Sequence, residues 1–247
     1  MIKAHNFMSQ RLIKYFKLLL DSRYWPALGI GVAATVEHAA ALGGDEFATV
    51  IDVGANKGQF ADYARTRWPR ARLVCFEPFP GPRAKLAWVT DGQAEIHKCA
   101  LGATSGEGRM HLASGADSSS LLALGAHHKA IFGMTESGEL HVPIRRLDAN
   151  LSTPLRRPVL LKIDVQGFEL EVLKGAAGAL PEIDVTYVEA SFIELYKGQS
   201  LHTEIERFLL QHGYRLRGHF INYLHDGEPV QADLLFLPTH RAFAAQY

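Results

Sequence analysis

The sequence predicts an α/β domain, a doubly wound and mostly parallel seven-stranded sheet with helices on both faces, behind an N-terminal helical extension. Three observations carry this expectation. From Phe47 onward short apolar runs alternate with helix-period segments, the pattern of parallel strands joined by crossover helices. Val159–Ile163 is a near-continuous apolar run, as a central strand buried on both faces requires. The stretch Val50–Pro78, "VIDVGANKGQFADYARTRWPRARLVCFEP", runs from a strand through a small-residue turn and a helix to a second strand that ends on an acid.

The extension covers residues 1–45. Within it Arg11–Leu20, "RLIKYFKLLL", is interrupted by Lys14 and Lys17, so it reads as an amphipathic helix, docked on the main domain or, as the alternative, touching a membrane surface, and not as the apolar core of a secretory signal. Leu28–Leu42 is apolar but short, and it contains Glu37 and His38, which rules it out as a membrane span. Residues 46–247 read as one domain. Its first strand is Ala48–Val53, and a helix from Asn56 or Lys57 to Arg67 turns Phe60, Ala61 and Ala64 to one face before Pro69. Arg72–Glu77 is the second strand. "EPFPGP" after it reads as a loop, a helix follows over Arg83–Val89, and the third strand is Ala94–Cys99.

Gly102–Gly138 is the least regular region, with six glycines between Gly106 and Gly138 and the run Ser118-Ser119-Ser120. It reads as a disordered loop or a substrate-facing lid, with short antiparallel strands at Arg109–Ala113 and Glu139–Ile144. After Val159–Ile163, Gly167 turns the chain into a helix with Phe168, Val172 and Leu173 inward. Asp184–Glu189 is the next strand. Leu201, Ile205, Phe208 and Leu209 recur at helical spacing, with Gly213 placed for a left-handed cap. Tyr214–Arg217 and Asp233–Leu237 are the last strands, with an Asp-Gly turn signal between them.

Composition narrows the function. In 247 residues, 26 Lys+Arg balance 26 Asp+Glu, which gives no support for a nucleic-acid partner. Of 12 histidines only His127 and His128 are adjacent, so no metal-ligand spacing emerges. Both of these, with His202, are expected at the surface. Cys75 and Cys99 fall in strands and read as buried thiols of a cytoplasmic protein.

The turn after the first strand lacks the G-x-G-x-x-G spacing of a dinucleotide site: Gly54 and Gly58 remain, with Asn56 in the place of a middle glycine. Glu77 lies 23 residues beyond Gly54, the separation at which a carboxylate reaches ribose hydroxyls. Asp52 before the turn and Asn56 within it suit a cofactor with no phosphate and a cationic, amino-acid-like tail, which is S-adenosylmethionine. Asp52 would serve its ammonium group directly or through water, and Gly58 would let helix and strand pack closely.

"VIDVGANKGQFA", "FEP", "LKIDVQGFELEVLKGA" and "VEASFIELYKGQ", in this order and spacing, closely resemble the FkbM-type methyltransferases, over roughly Phe47 to Leu237. The resemblance implies a class I methyltransferase (Rossmann-like) fold and methyl transfer from S-adenosylmethionine to oxygen, typically a sugar hydroxyl of a glycolipid, glycan or antibiotic, or a polyketide hydroxyl. It places cofactor binding at Asp52, Gly54, Asn56, Gly58 and Glu77, with Ala100 and Leu101 near the adenine. Many relatives carry Glu at the position of Gln166, and the amide here weakens any assignment of that residue as base or metal ligand.

Two acids belong to the carboxyl edge of the sheet, where ligands of such folds bind: Asp164 after the fourth strand and Glu189 after the fifth. Asp164 is the first candidate for the base that takes the acceptor hydroxyl's proton, and Glu189 the second. The alternative for either is orientation of substrate or capping of the next helix. Two converging carboxylates would also suit Mg²⁺, with Gln166 or Glu194 as third ligand, but this is not the favoured reading. Ser119 in the serine run is a candidate saccharide contact. Tyr196 is either a sugar-stacking face or core. The competing functions are a NAD(P)-dependent oxidoreductase, disfavoured by the missing glycine and the antiparallel-looking last strands, and a non-catalytic carbohydrate- or partner-binding module.

Overall fold

The computed structural model describes residues 3–240, with side chains from residue 12 onward except that of residue 116. Helices α1 (Lys3–Leu20), α2 (Trp25–Gly29) and α3 (Ala39–Leu42) precede β1 (Thr49–Val53). Next come α4 (Gln59–Arg67), β2 (Arg72–Phe76), α5 (Pro80–Val89) and β3 (Glu95–His97). The middle of the chain holds β4 (Ala100–Leu101), β5 (Gly106–Ala113), α6 (Ala126–Phe132) and β6 (Glu136–Arg145). β7 (Val159–Ile163), α7 (Glu169–Gly175), β8 (Val185–Ser191) and α8 (His202–Gln211) follow, and β9 (Tyr214–His225) and β10 (Glu228–Pro238) close the described chain.

The main sheet has seven strands in the order β3-β2-β1-β7-β8-β10-β9. β10 runs antiparallel to both its neighbours, and the other pairs are parallel. One reversed strand in this order is the class I methyltransferase arrangement. The chain winds outward from β1 in one direction and from β7 in the other, so the crevice beyond their carboxyl ends is the switch point where a ligand can enter. All five residues of β1 and of β7 are buried. Alternation divides them between two cores: Ile51, Val53, Leu161 and Ile163 pack with Val172, Leu173, Ile205 and Leu209 of α7 and α8. Val50 and Leu160 pack with Phe60, Ala61 and Ala64 of α4 and with Leu18, Val36 and Leu42 of the extension.

Several expectations change. "EPFPGP" opens α5 instead of forming a loop: Phe79 is its N-cap and Pro80 stands in its first turn, where a missing N–H costs nothing. The glycine-rich region is neither disordered nor a simple lid. β5 and β6 pair antiparallel, β4 joins β6 in parallel, and the three form a second small sheet. The last two strands are longer than their apolar cores, because the Asp226-Gly227 turn, with both residues at positive φ (56° and 88°), closes a full hairpin. Gly58, at φ 90°, packs against α5 and not against a strand; a Cβ there would lie 2.6 Å from Val89 Cγ2. Gly213 has the expected left-handed geometry at φ 79°.

The extension also differs from expectation. α1 buries Leu18 and is tied by Lys14 Nζ to Glu37 Oε1 at 2.8 Å, yet Leu12, Ile13, Phe16, Leu19 and Leu20 are exposed. Its apolar stripe faces outward. No helix of the described residues is long and apolar enough to cross a membrane.

Candidate cofactor and active site

Beyond β1 the chain must turn at once, because the ends of β1 and β7 approach closely: Asp164 N–H donates to Val53 O at 3.1 Å. Gly54 makes this possible. It sits at φ 81°, and a methyl group built on it would collide with the Asp164 carbonyl oxygen. The Gly54 and Ala55 amides both donate to Phe76 O, at 3.0 and 3.1 Å. The Asn56 amide donates to Glu77 Oε2 at 2.8 Å, and the Phe79 amide to Glu77 Oε1 at 2.7 Å. Three successive amides of the turn are therefore committed, and a diphosphate would find none of them free.

The turn forms one wall of a cavity that opens to solvent at the switch point. Its lining includes apolar Phe79, Ala100, Met110 and Leu121, which belong to one apolar cluster, with Leu101, and polar His38, Asn56, Lys162, Asp164 and Gln166. Glu77 lies on the lining between the turn and Phe79 and is 4% exposed. Burial pushes its carboxyl up, and its two backbone N–H bonds oppose the shift. Each oxygen keeps a lone pair for a further donor. Asn56, at φ 47°, donates through Nδ2 to Asp117 Oδ1 at 2.9 Å, where Lys57 Nζ also binds at 2.8 Å. Its Oδ1 is buried without a hydrogen-bond partner.

Asp52 does not reach this cavity. It is 1% exposed and pairs with Lys162 Nζ at 3.2 Å, so an ammonium of the protein itself takes the place expected for a ligand's. Lys162 stands opposite Asp52 in the β1–β7 register, lines the cavity and lies 3.6 Å from Asp164 Oδ2. Burial works against its charge, but Asp52 and then Asp164 outweigh that and push the ammonium above the usual lysine range. Burial likewise pushes the Asp52 carboxyl up, and Lys162 opposes it.

Asp164 is 33% exposed and lines the cavity, as the sequence suggested. Glu189 does not: it is half-buried behind Gln166, whose Nε2 donates to Asp164 Oδ1 at 2.7 Å and to Glu189 Oε2 at 3.0 Å. Gln231 Nε2 binds the same Glu189 oxygen at 3.1 Å. Burial, then the carboxylates of Asp164, Asp233 and Glu169, push the Glu189 carboxyl well up. The acids are thus bridged by an amide donor. Glu194 Oε1 accepts the Gly198 amide instead of joining them, and among the described residues no group of three or more His, Cys, Asp or Glu is arranged to hold a metal.

Tyr196 is core, not a stacking face. It is 1% exposed, and its hydroxyl lies 2.8 Å from Gln166 Oε1, 2.9 Å from Ser118 O and 3.1 Å from His128 Nε2. His128, expected at the surface, is 3% exposed. Ser119 lines the cavity while its Oγ accepts the Ala113 amide at 3.2 Å; Ser120 Oγ donates to Gln166 O at 2.6 Å. Glu169, 3% exposed, accepts the Val165 and Gly167 amides at 3.1 and 3.0 Å and pins the loop that carries Asp164 and Gln166. Burial pushes its carboxyl up to about 7.

Sequence reasoning missed Lys162, Thr35, His38, Phe79, Met110, Asp117 and Leu121 on the lining. Lys162 carried a readable signal, a cation in the middle of an otherwise apolar strand. Thr35 and His38 come from the extension, and Asp117 is brought in by the second sheet. Nothing in their local sequence marks them.

Residues 52–216 match the methyltransferase FkbM domain family. The chain is 28% identical over 144 residues to Methyltransferase 1 of Beauveria bassiana, an alignment covering 51% of this chain and 57% of that protein. It is 29% identical over 160 residues to the 2-O-methyltransferase NoeI of Sinorhizobium fredii, covering 61% of this chain and 66% of that one. The chain thus spans less than two thirds of either relative. Among solved structures, magnesium protoporphyrin IX methyltransferase from Synechocystis with bound SAM aligns at a TM-score of 0.49 and 10% identity, over 86% of this chain and 80% of that one.

Two stability measurements check this arrangement. Lys162→Met, which leaves the buried Asp52 carboxylate without its cation, should cost about 3–5 kcal/mol in urea unfolding, and Asp52→Asn, which leaves Lys162 with Asp164 alone, should cost less. The double variant should cost clearly less than their sum; strict additivity would contradict the pairing. For Glu169, the folded protein holds the proton between the unfolded value of 4.5 and about 7. The stability present below 4.5 is therefore lost as pH rises through that window. Wild type should lose stability relative to Glu169→Gln as pH rises from about 4.5 to 7, and parallel profiles would refute the assignment.

Proposed function

The chain belongs to the FkbM methyltransferase family, and on that premise we propose that it methylates oxygen from S-adenosylmethionine, at a sugar hydroxyl of a glycolipid, glycan or glycosylated metabolite. The observation that carries this reading is the cavity lining: a buried carboxylate, Glu77, together with an apolar cluster and polar groups that include Asp164. Phe79, Ala100, Leu101, Met110 and Leu121 suit an adenine ring, and the free lone pairs of Glu77 suit the ribose diol. The partnerless Asn56 Oδ1 is an acceptor for the ammonium of an amino-acid tail, and the Lys162 ammonium suits its carboxylate. The committed amides of Gly54, Ala55 and Asn56 disfavour the NAD(P) alternative, which needs donors for a diphosphate. The buried free thiols of Cys75 and Cys99 support a reducing, cytoplasmic setting.

The bound cofactor would supply an electrophilic sulfonium methyl group. The protein's part is to place the acceptor hydroxyl in line, exclude water and remove a proton. Asp164 is the residue for the last task. Gln166 Nε2, at 2.7 Å from Oδ1, fixes the carboxylate's orientation, and the Tyr196 hydroxyl at 2.8 Å from Gln166 Oε1 fixes the amide in turn. Glu189 anchors the other side of that amide and is a positioning residue. No Mg²⁺ is invoked, because the Gln166 amide donates to both acids. The name of the relative NoeI, a 2-O-methyltransferase, supports an oxygen acceptor.

Incubation with S-adenosylmethionine and a panel of deoxysugar glycolipids and glycosylated metabolites, read by mass spectrometry, should show the gain of one methyl group on at least one acceptor. With that acceptor Asp164→Asn should lose about 10²–10⁴ in turnover and keep its fold and cofactor affinity, while Glu189→Gln should lose less. A nearly full rate for Asp164→Asn would remove the base from the account.

A further inference from the structure

α1 carries Lys3, Arg11, Lys14 and Lys17 and no acidic residue, in a chain whose 26 Lys+Arg and 26 Asp+Glu balance overall. Its described side chains divide cleanly around the axis. Leu18 is 0% exposed and Lys14 reaches Glu37, so this side faces the protein. Leu12, Ile13, Phe16, Leu19 and Leu20 are 54–71% exposed. Their spacing of i, i+1, i+4, i+7 and i+8 gathers them into one stripe. Exposed Tyr15 and Lys17 border the stripe on either side. Trp25 prolongs it: its ring N–H donates to Leu19 O at 3.1 Å, and the side chain is 55% exposed.

Single exposed apolar residues are ordinary, but a continuous stripe needs a covering surface. The helix's charge says which. A second copy would set basic helix against basic helix, whereas an anionic lipid surface offers apolar depth for the stripe and negative headgroups for the exposed Lys17 at its border. We propose that α1 lies in the interface of an anionic bilayer, with Leu12, Ile13, Phe16, Leu19, Leu20 and Trp25 inserted. The helix is about 27 Å long and is seated at the cavity wall, since Lys14 binds Glu37 between the cavity-lining Thr35 and His38. The Lys14 charge is also felt at Asp117 on the same lining. Bilayer binding is independent of methyl transfer and is measured without cofactor.

The test is flotation of the full chain with vesicles of phosphatidylcholine alone or mixed with phosphatidylglycerol. The bound fraction should be about tenfold higher on the anionic vesicles and fall with added salt. Phe16→Glu with Leu19→Glu should reduce it about tenfold with an unchanged circular dichroism spectrum. In a Trp88→Phe background Trp68 is 2% exposed, so a blue shift on binding reports Trp25. Equal binding to both vesicles, no binding, or undiminished binding by the double variant would overturn the proposal. So would a dimer in light scattering that the same two substitutions dissolve, because the stripe would then pair copies of the chain.

Discussion

The Lys162 ammonium, buried in the central strand between Asp52 and Asp164, is the interaction on which the carboxyl edge of the sheet depends. A cation at 7% exposure is tolerable only with carboxylates close by, and here they come from both sides: Asp52 from the neighbouring β1 at 3.2 Å and Asp164 from the end of its own strand at 3.6 Å. The Phe60 ring, with its centroid 5.6 Å from Nζ, adds a weaker attraction. The pair fixes how β1 and β7 end relative to each other, and so where Gly54 must turn and where the Asp164 carboxylate stands.

From Asp164 a chain of hydrogen bonds runs outward through Gln166 to Glu189 and Tyr196, and from Tyr196 to Ser118 and His128. This relay joins the main sheet to α6 and to the segment before it. Ser120 Oγ on the Gln166 carbonyl ties the same two parts a second time. The small sheet is thereby held over the cavity, and Asp117 closes on Asn56 and Lys57 from above. The residue at position 166 is an amide for a physical reason: two carboxylates and a tyrosine hydroxyl surround it, and an amide alone offers two donors to the acids and an acceptor to the hydroxyl.

Periodicity carried most of the fold. β7 lies where its apolar run placed it, and α8 ends at the glycine expected to cap it. Local reading failed where long-range pairing decides the outcome. β5 and β6 pair antiparallel where the residues suggested short antiparallel strands, but each runs beyond its expected bounds, to Gly106–Ala113 and Glu136–Arg145, and the two-residue β4 joins them only through its pairing with β6. At the site, Glu77, Gly54, Asn56 and Asp164 could be read because turn geometry and strand ends fix their positions. Asp52 could not, because its role was set by Lys162, 110 residues later in sequence but opposite it in the sheet. Tyr196 showed an aromatic without showing that its hydroxyl is used and its ring is covered. His38 and Thr35 belong to the extension, whose packing onto the cavity has no signature in either segment.

The central claim is that the cavity holds an adenosyl cofactor through Glu77, and calorimetric titration with S-adenosylhomocysteine tests it most directly. Wild type should bind one equivalent saturably, give no heat with NADH, and lose about tenfold or more in affinity in Glu77→Gln, where a charged acceptor for the ribose hydroxyls becomes a neutral one. The amide can still accept the Asn56 or Phe79 N–H, so the variant should fold. Absence of binding by wild type, or an unchanged affinity in the folded Glu77→Gln protein, would contradict the account.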